Sequence, residues 1–200
     1  MRKTKLKSLG LLLAYLTVGW NIINTVVAMV LGLKTESVAL VGLALDSLID
    51  VFAAGVVIWQ LQAGNKERDQ QALRLIGTAF FVLATFILVE SVNALLDQER
   101  PGDSGFAMIW LVVTFVIMLV LAISKDVVGS KLNNFVLKSE AHMTLIDAYL
   151  AASVFLSLLL NTYLGWWWAD AAAGLVIILY AFKEGWNAWV ESSQTQETGH

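Results

Sequence analysis

The chain has 200 residues, of which 58% are hydrophobic and only 14% charged, and its mean hydropathy is +0.71. Soluble domains average about 45–50% apolar and about 25% charged, so this composition excludes an ordinary water-soluble domain and points to lipid. A net charge of −3, without a basic surplus, a Gly-rich phosphate loop or basic–aromatic interleaving, excludes nucleic acid as a partner. The absence of cysteine excludes disulfides and thiolate metal sites.

A transmembrane helix needs roughly 20 predominantly apolar residues, and six stretches meet that need. The first, Ser8 to Leu33, carries no charge. Its basic start and apolar core imitate a secretory signal. The run is too long for one, and "VGWNIIN" offers no small-residue cleavage site, so it is read as a span. The second, Ser37 to Gln62, holds Asp46 and Asp50 in an otherwise uncharged window of 29 residues, 37–65. The third, Leu75 to Leu96, has one ionisable group, Glu90. The fourth, Gly105 to Ser124, is uncharged. The fifth, Ser139 to Asn161, contains Glu140, His142 and Asp147. The sixth runs from Trp166 to Val190. The division expected is a six-helix membrane domain over 1–192 and a polar, disordered tail over 193–200. The single proline, Pro101, lies between spans and leaves the helices unbroken.

Basic residues set the orientation. Eleven of the thirteen Lys and Arg fall on one side: residues 2, 3, 5 and 7, then Lys66, Arg68 and Arg74, then Lys125, Lys131 and Lys138, then Lys183. Only Lys34 and Arg100 fall on the other. With six spans, both termini are expected in the cytoplasm, and "GWWWAD" (165–170) is an aromatic belt at the outer boundary.

An ionisable group at bilayer depth costs about 2.5–3.5 kcal/mol on insertion scales. Asp46 and Asp50 stand at i and i+4, so their carboxylates share one helix face. Two adjacent carboxylates share either a proton or a cation, and a divalent metal offsets both burial and repulsion. Pairing with basic groups is the competing reading, and the spans offer only Lys183 for it. On the fifth span, Glu140 and Asp147 lie within about 20° of each other but about 10.5 Å apart along the axis, so they cannot bind one ion together. His142 points away from that face. Asn21 and Asn24 on the first span, at i and i+3, could each offer a carbonyl oxygen or pack helices.

Three stretches carry a family resemblance. "ESVALVGLALDSLIDV" (36–51) is similar to the second-helix signature of the cation diffusion facilitator family, in which Ser-x-Ala-Leu leads to Asp-x-x-x-Asp. "SEAHMTLIDAYLAAS" (139–153) stands where the family usually reads Ala-Asp-x-x-His-x-x-x-Asp. "WWWADAAAGLVIILYAFKEGWNAWVES" (166–192) resembles its sixth helix, Trp-x-Asp-Pro and a Gly-rich apolar run. The departures are Met143 where the metal-binding His is expected, His142 one place early, Glu140 for the preceding Asp, and Ala171 for Pro. The cytoplasmic domain that most members carry after the sixth helix has no counterpart here. The closest resemblance is to a short bacterial branch that also resembles the transmembrane protein 163 type.

The resemblance implies an all-α cation efflux transmembrane fold and a secondary transporter, not an enzyme. The activity it implies is divalent metal/proton antiport, exporting metal across the cell inner membrane, by a homodimer. The small-residue runs "ADAAAG" and "AAS" and the aromatic-rich "EGWNAW" are candidate dimer surfaces. An intramembrane aspartyl protease would need Gly- or Tyr-flanked motifs that "LDSLID" lacks. The expected site is Asp46, Asp50 and Asp147, with Asn24, His142 and Glu140 as further candidates. No cofactor is expected. The transported ion is Zn, Mn, Fe, Co or Cd, and the oxygen-rich donor set favours harder ions such as Mn²⁺ or Fe²⁺ over tetrahedral zinc. The alternative is a non-transporting metal-sensing or partner subunit whose fifth-helix site has decayed.

Overall fold

The computed structural model describes residues 2–63, 66–98, 101–102, 105–132 and 135–197, without the side chains of 2–4, 7, 55–63, 66–70, 72, 135, 136, 139, 140, 191 and 194–197. Six helices account for nearly all of it: α1 (Arg2–Thr35), α2 (Val38–Ala63), α3 (Lys66–Asp97), α4 (Gly105–Leu132), α5 (Phe135–Leu164) and α6 (Trp168–Glu197). The chain is an all-α, multi-pass membrane protein. Four helices are, within the described residues, long and apolar enough to cross a bilayer: α1, α3, α4 and α5. Five of the six helices are longer than the apolar stretch that announces them, and α2 matches its own in length. The 34 residues of α1 extend about 51 Å at 1.5 Å per residue, well beyond a hydrocarbon core of about 30 Å. The backbone of α6 likewise stays helical to Glu197, and 198–200 lie outside the described residues.

Large apolar side chains such as Leu11, Val26, Val82, Ile109 and Leu179 are exposed, whereas alanines 28, 39, 44, 107, 148, 151 and 173 are buried. Lipid tails are as apolar as leucine, so helices in a bilayer gain from close approach through small residues, not from hiding large ones. The tightest pair, α3 with α6, illustrates this. A Cβ built at Gly77 would lie 3.0 Å from the Gly185 carbonyl oxygen, and one at Gly174 would lie 2.6 Å from Ser91 Oγ. The first substitution meets backbone and the Trp189 ring and pushes the two helices apart, whereas the second requires the Ser91 hydroxyl to turn away.

Helices α1, α2, α4 and α5 form one group, and the α3–α6 pair lies against α2 and α5. Helix α2 touches α1, α3, α5 and α6, which makes it the axis of the bundle and carries Asp46 and Asp50 to its centre.

Three connections gather at one end and are bonded to one another. The Gly102 amide donates to the Thr35 carbonyl at 2.7 Å, and Asn161 Nδ2 donates to the Pro101 carbonyl at 2.9 Å. The turn before α6 closes on Gly165, whose φ of 67° suits glycine. There the Gly165 amide donates to the Asn161 carbonyl at 2.9 Å, the five-to-one bond of an αL cap. Asp170, in the first turn of α6, completes the knot. Its carboxylate accepts from Ser37 Oγ at 2.6 Å, from the Ala39 amide at 3.2 Å and from Ser157 Oγ at 3.5 Å, while Ser37 Oγ accepts from the Leu40 amide at 3.1 Å. One buried carboxylate thus caps the start of α2 and ties α2, α5 and α6 together.

Asp170→Ala leaves the Ser37 hydroxyl and the Ala39 amide without their charged acceptor. We expect a stability loss of about 1.5–3 kcal/mol, the range for hydrogen bonds to charged groups. It is read as a lower thermal unfolding midpoint of the detergent-solubilised protein; an unchanged midpoint would contradict this role.

Candidate metal centre

Asp46 and Asp50 lie one turn apart on α2, and the facing stretch of α5 contributes Asp147. One carboxylate oxygen from each falls within 4.8 Å of the other two. Asp46 and Asp147 are buried, at 1% and 8% exposure, and Asp50 is half-buried. Two of the three lack compensation: neither Asp46 Oδ1 nor Asp147 Oδ1 has a hydrogen-bond partner. Buried polar atoms are nearly always bonded, and an orphan calls for an explanation. Here the orphans are carboxyl oxygens, which either a proton or a cation satisfies.

The two asparagines of α1 have different surroundings. Asn21 Nδ2 donates to Asp50 Oδ2 at 3.1 Å, whereas Asn21 Oδ1 is buried without a partner. Asn24 is saturated. Its Nδ2 donates to Ser47 Oγ at 2.9 Å, and its Oδ1 accepts from Trp110 Nε1 at 2.9 Å and Thr114 Oγ1 at 3.2 Å. Trp110 also stacks on Trp20 with ring centroids 5.3 Å apart. Asn24 therefore clamps α1 to α2 and α4 behind the carboxylates, with its carbonyl oxygen already engaged. Asn21 is the α1 residue that touches one of them.

On α5, His142 is exposed and lies outside the three-carboxylate cluster. Met143, where the family pattern has its histidine, is 50% exposed. Thr144 is the buried residue one turn before Asp147. The side chain of Glu140 lies outside the described residues.

The basic groups differ from the sequence expectation. Lys183, read as the one basic residue available to the buried acids, is exposed. Lys125, read as a flanking residue just past the fourth span, is only 3% exposed. The reason is that α4 does not stop at Ser124. It continues to Leu132 packed along α5, and the Lys125 ammonium is drawn inward, donating to Thr144 Oγ1 at 3.2 Å. From there its charge acts on Asp50 and Asp147. Sequence reasoning also passed over Glu184. This half-buried carboxylate on α6 lies within electrostatic range of all three aspartates and of Lys183 and His142. Its only signal in the sequence is an acid standing between the apolar run of the sixth helix and its aromatic end.

Comparison with known proteins agrees with this arrangement. Residues 75–195 match the model of the cation efflux transmembrane domain. Over 181 residues the chain is 21% identical to transmembrane protein 163 of Xenopus laevis, covering 88% of this chain and 64% of that protein. It is 26% identical over 118 residues to the cation-efflux pump FieF of Shewanella oneidensis, covering 58% and 40%. It is 22% identical over 129 residues to the cadmium, cobalt and zinc/H(+)-K(+) antiporter of Bacillus subtilis, covering 64% and 41%. The chain thus spans less than two thirds of the length of each of these relatives. With the family model matched over more than half of its length, on a six-helix bundle of this arrangement, the chain belongs to the cation efflux, or cation diffusion facilitator, family.

Proposed function

We propose that the chain exports a divalent metal cation from the cytoplasm in exchange for protons, carrying it at Asp46, Asp50 and Asp147. The observation that carries the reading is the cluster itself: three carboxylate oxygens within 4.8 Å, two of the three residues holding a buried oxygen with no partner. Carboxylates must shed protons to ligate a metal, so metal binding and proton release are linked by the ligands themselves. A relative whose name specifies proton exchange, the Bacillus subtilis antiporter, supports the coupling. Asn21 is the natural fourth oxygen, since turning its amide over presents Oδ1 to the space beside Asp50 that Nδ2 now fills. Asn24 would have to release two donors to take that part. His142 and Glu140 stand on this reading as groups on the approach to the site, not as its ligands. An all-oxygen donor set favours Mn²⁺ or Fe²⁺ among the candidates.

The second reading, a non-transporting metal-sensing or partner subunit, is favoured by one observation: Met143, not His, stands at the family's ligand position, and it faces outward. Uptake of metal by sealed vesicles holding the purified protein alone separates the two. In that assay Asp50→Ala and Asp147→Ala are expected to fall to background. Loss of mere outer partners of metal ligands already costs about 10–100-fold. His142→Ala should stay within about threefold of the unmodified chain, well short of the 10–100-fold loss expected of a ligand's partner. Wild-type uptake in Asp50→Ala would overturn the site, and complete loss in His142→Ala would make that histidine a ligand.

Orientation follows the basic residues, with both termini in the cytoplasm of a cell whose inner membrane holds the protein. The chain has no cysteine, so one introduced at Ser193 reports cleanly. It should react with an impermeant maleimide only after the cells are opened; labelling of intact cells would reverse the topology.

A homodimer completes the proposal. The small-residue runs that could have served it are spent inside the protomer, with Ala151, Ala169, Ala171 and Ala173 all buried. Of the surfaces expected, Trp186 and Trp189 at the end of α6 stay exposed. Crosslinking in native membranes is expected to give a dimer band that weakens in Trp186→Ala; monomer alone at several protein-to-lipid ratios would exclude it.

A further inference from the structure

Among the described residues, Lys125 is a charged feature of the interior that the three-aspartate reading does not use. A lysine 3% exposed in a membrane bundle is a costly placement. It is held by geometry, since its ammonium donates to Thr144 Oγ1 at 3.2 Å. Thr144 stands three residues before Asp147 on the same helix face. The ammonium therefore sits about one turn from the carboxylate cluster, and its charge acts on two of the three members.

We propose that Lys125 is a built-in counter-charge that sets how tightly the site holds its ion. The half-buried Glu184 carboxylate acts on all three aspartates, and the ammonium offsets part of this negative charge at Asp50 and Asp147. The charge also governs release. Without it the site would hold a dication more tightly, and the fixed ammonium repels the ion enough to let it leave. Lys125 touches no ion in this scheme; it is a positioning residue that acts through the electrostatics of the ligands. The inference rests on the metal reading of Asp46, Asp50 and Asp147.

The test is a charge series in the full chain, with Zn²⁺ and Mn²⁺ each used alone. Direct binding is measured in detergent and transport in sealed vesicles. Asp50→Asn removes one negative charge from the cluster, Lys125→Gln removes one positive charge, and the two combined restore the total of the unmodified chain. Lys125→Gln is expected to bind at least about tenfold tighter, a conservative figure for removing one unit charge several ångström from a dication. Its KM and its maximal rate should both fall, whereas packing damage lowers the rate without tightening binding. Lys125→Arg keeps the charge and should stay near the unmodified KM. The double variant should bind at least about tenfold tighter than Asp50→Asn alone, and this comparison decides the matter if Lys125→Gln fails to insert.

Unchanged or weaker binding in folded Lys125→Gln overturns the inference, as does a double variant no tighter than Asp50→Asn. An Arg variant that behaves like Gln would show that shape, not charge, is at work. If Asp147→Ala abolishes binding while the lysine series is flat, the lysine fails and the metal site stands. If the unmodified chain binds neither ion, the metal site itself fails, and the lysine with it.

Discussion

Carboxylates crowded into one small volume inside a bilayer repel one another, and the rest of this molecule is arranged around that repulsion. At 4.8 Å, each pair of ionised aspartates opposes the other by roughly 3 kcal/mol even at an effective dielectric constant of 20. Burial adds a desolvation penalty to every member. Hydrogen bonding relieves little of it: Asn21 donates to Asp50, but Asp46 and Asp147 each keep an unpartnered oxygen. Such a cluster is stable with positive charge nearby and strained without it. The central position of α2, the inward turn of Lys125 and the orphaned oxygens all follow from that one requirement.

A fourth buried aspartate shows what the alternative looks like. Asp170 is as deeply buried as Asp46, yet its oxygens receive the Ser37 and Ser157 hydroxyls and the Ala39 amide. Donors surround it, and no other carboxylate is among its bonded partners. The two settings separate roles that residue type alone cannot. A carboxylate given donors by the fold is a structural tie, whereas carboxylates given one another keep open oxygens, as the proposed metal site requires. The knot at the three connections and the open cluster at mid-bundle lie on the same helix, α2, so the site is suspended from a fixed point.

Much of this was legible in the amino-acid sequence. Asp46 and Asp50 announced themselves because nothing else in their window is charged and a four-residue spacing admits one helical face. Asp147 joined them through the family resemblance of the fifth helix, and helix geometry alone turned His142 away from its face. Lys125 was missed for a physical reason. A lysine at the end of an apolar run reads as an interfacial flank, and only the packing of α4 along α5 beyond Ser124 reveals that it turns inward. Asn24, not Asn21, stood among the expected ligands, although the two lie one turn apart on the same apolar helix. Which of them meets a carboxylate depends on the register of α1 against α2, and registry between helices leaves no local trace. Met143 and Thr144 pose the same difficulty. Their neighbouring positions on the helical wheel gave no reason to expect one exposed and the other buried.

The bonds joining the three connections bear on how such a chain drifts over generations. The link from Gly102 to Thr35 runs between backbone atoms, so it survives replacement of the threonine by many other residues. The links through Asn161 and through Ser37 with Asp170 depend on particular side chains. Two neighbouring ties at one end of the bundle therefore differ in how freely they can mutate. Homologues could differ at position 35 and still close this end identically, while a change at 170 would demand a compensating change at 37. An identity of 21% with a relative is compatible with the same architecture because part of its fastening is written in the main chain, where substitutions leave no mark.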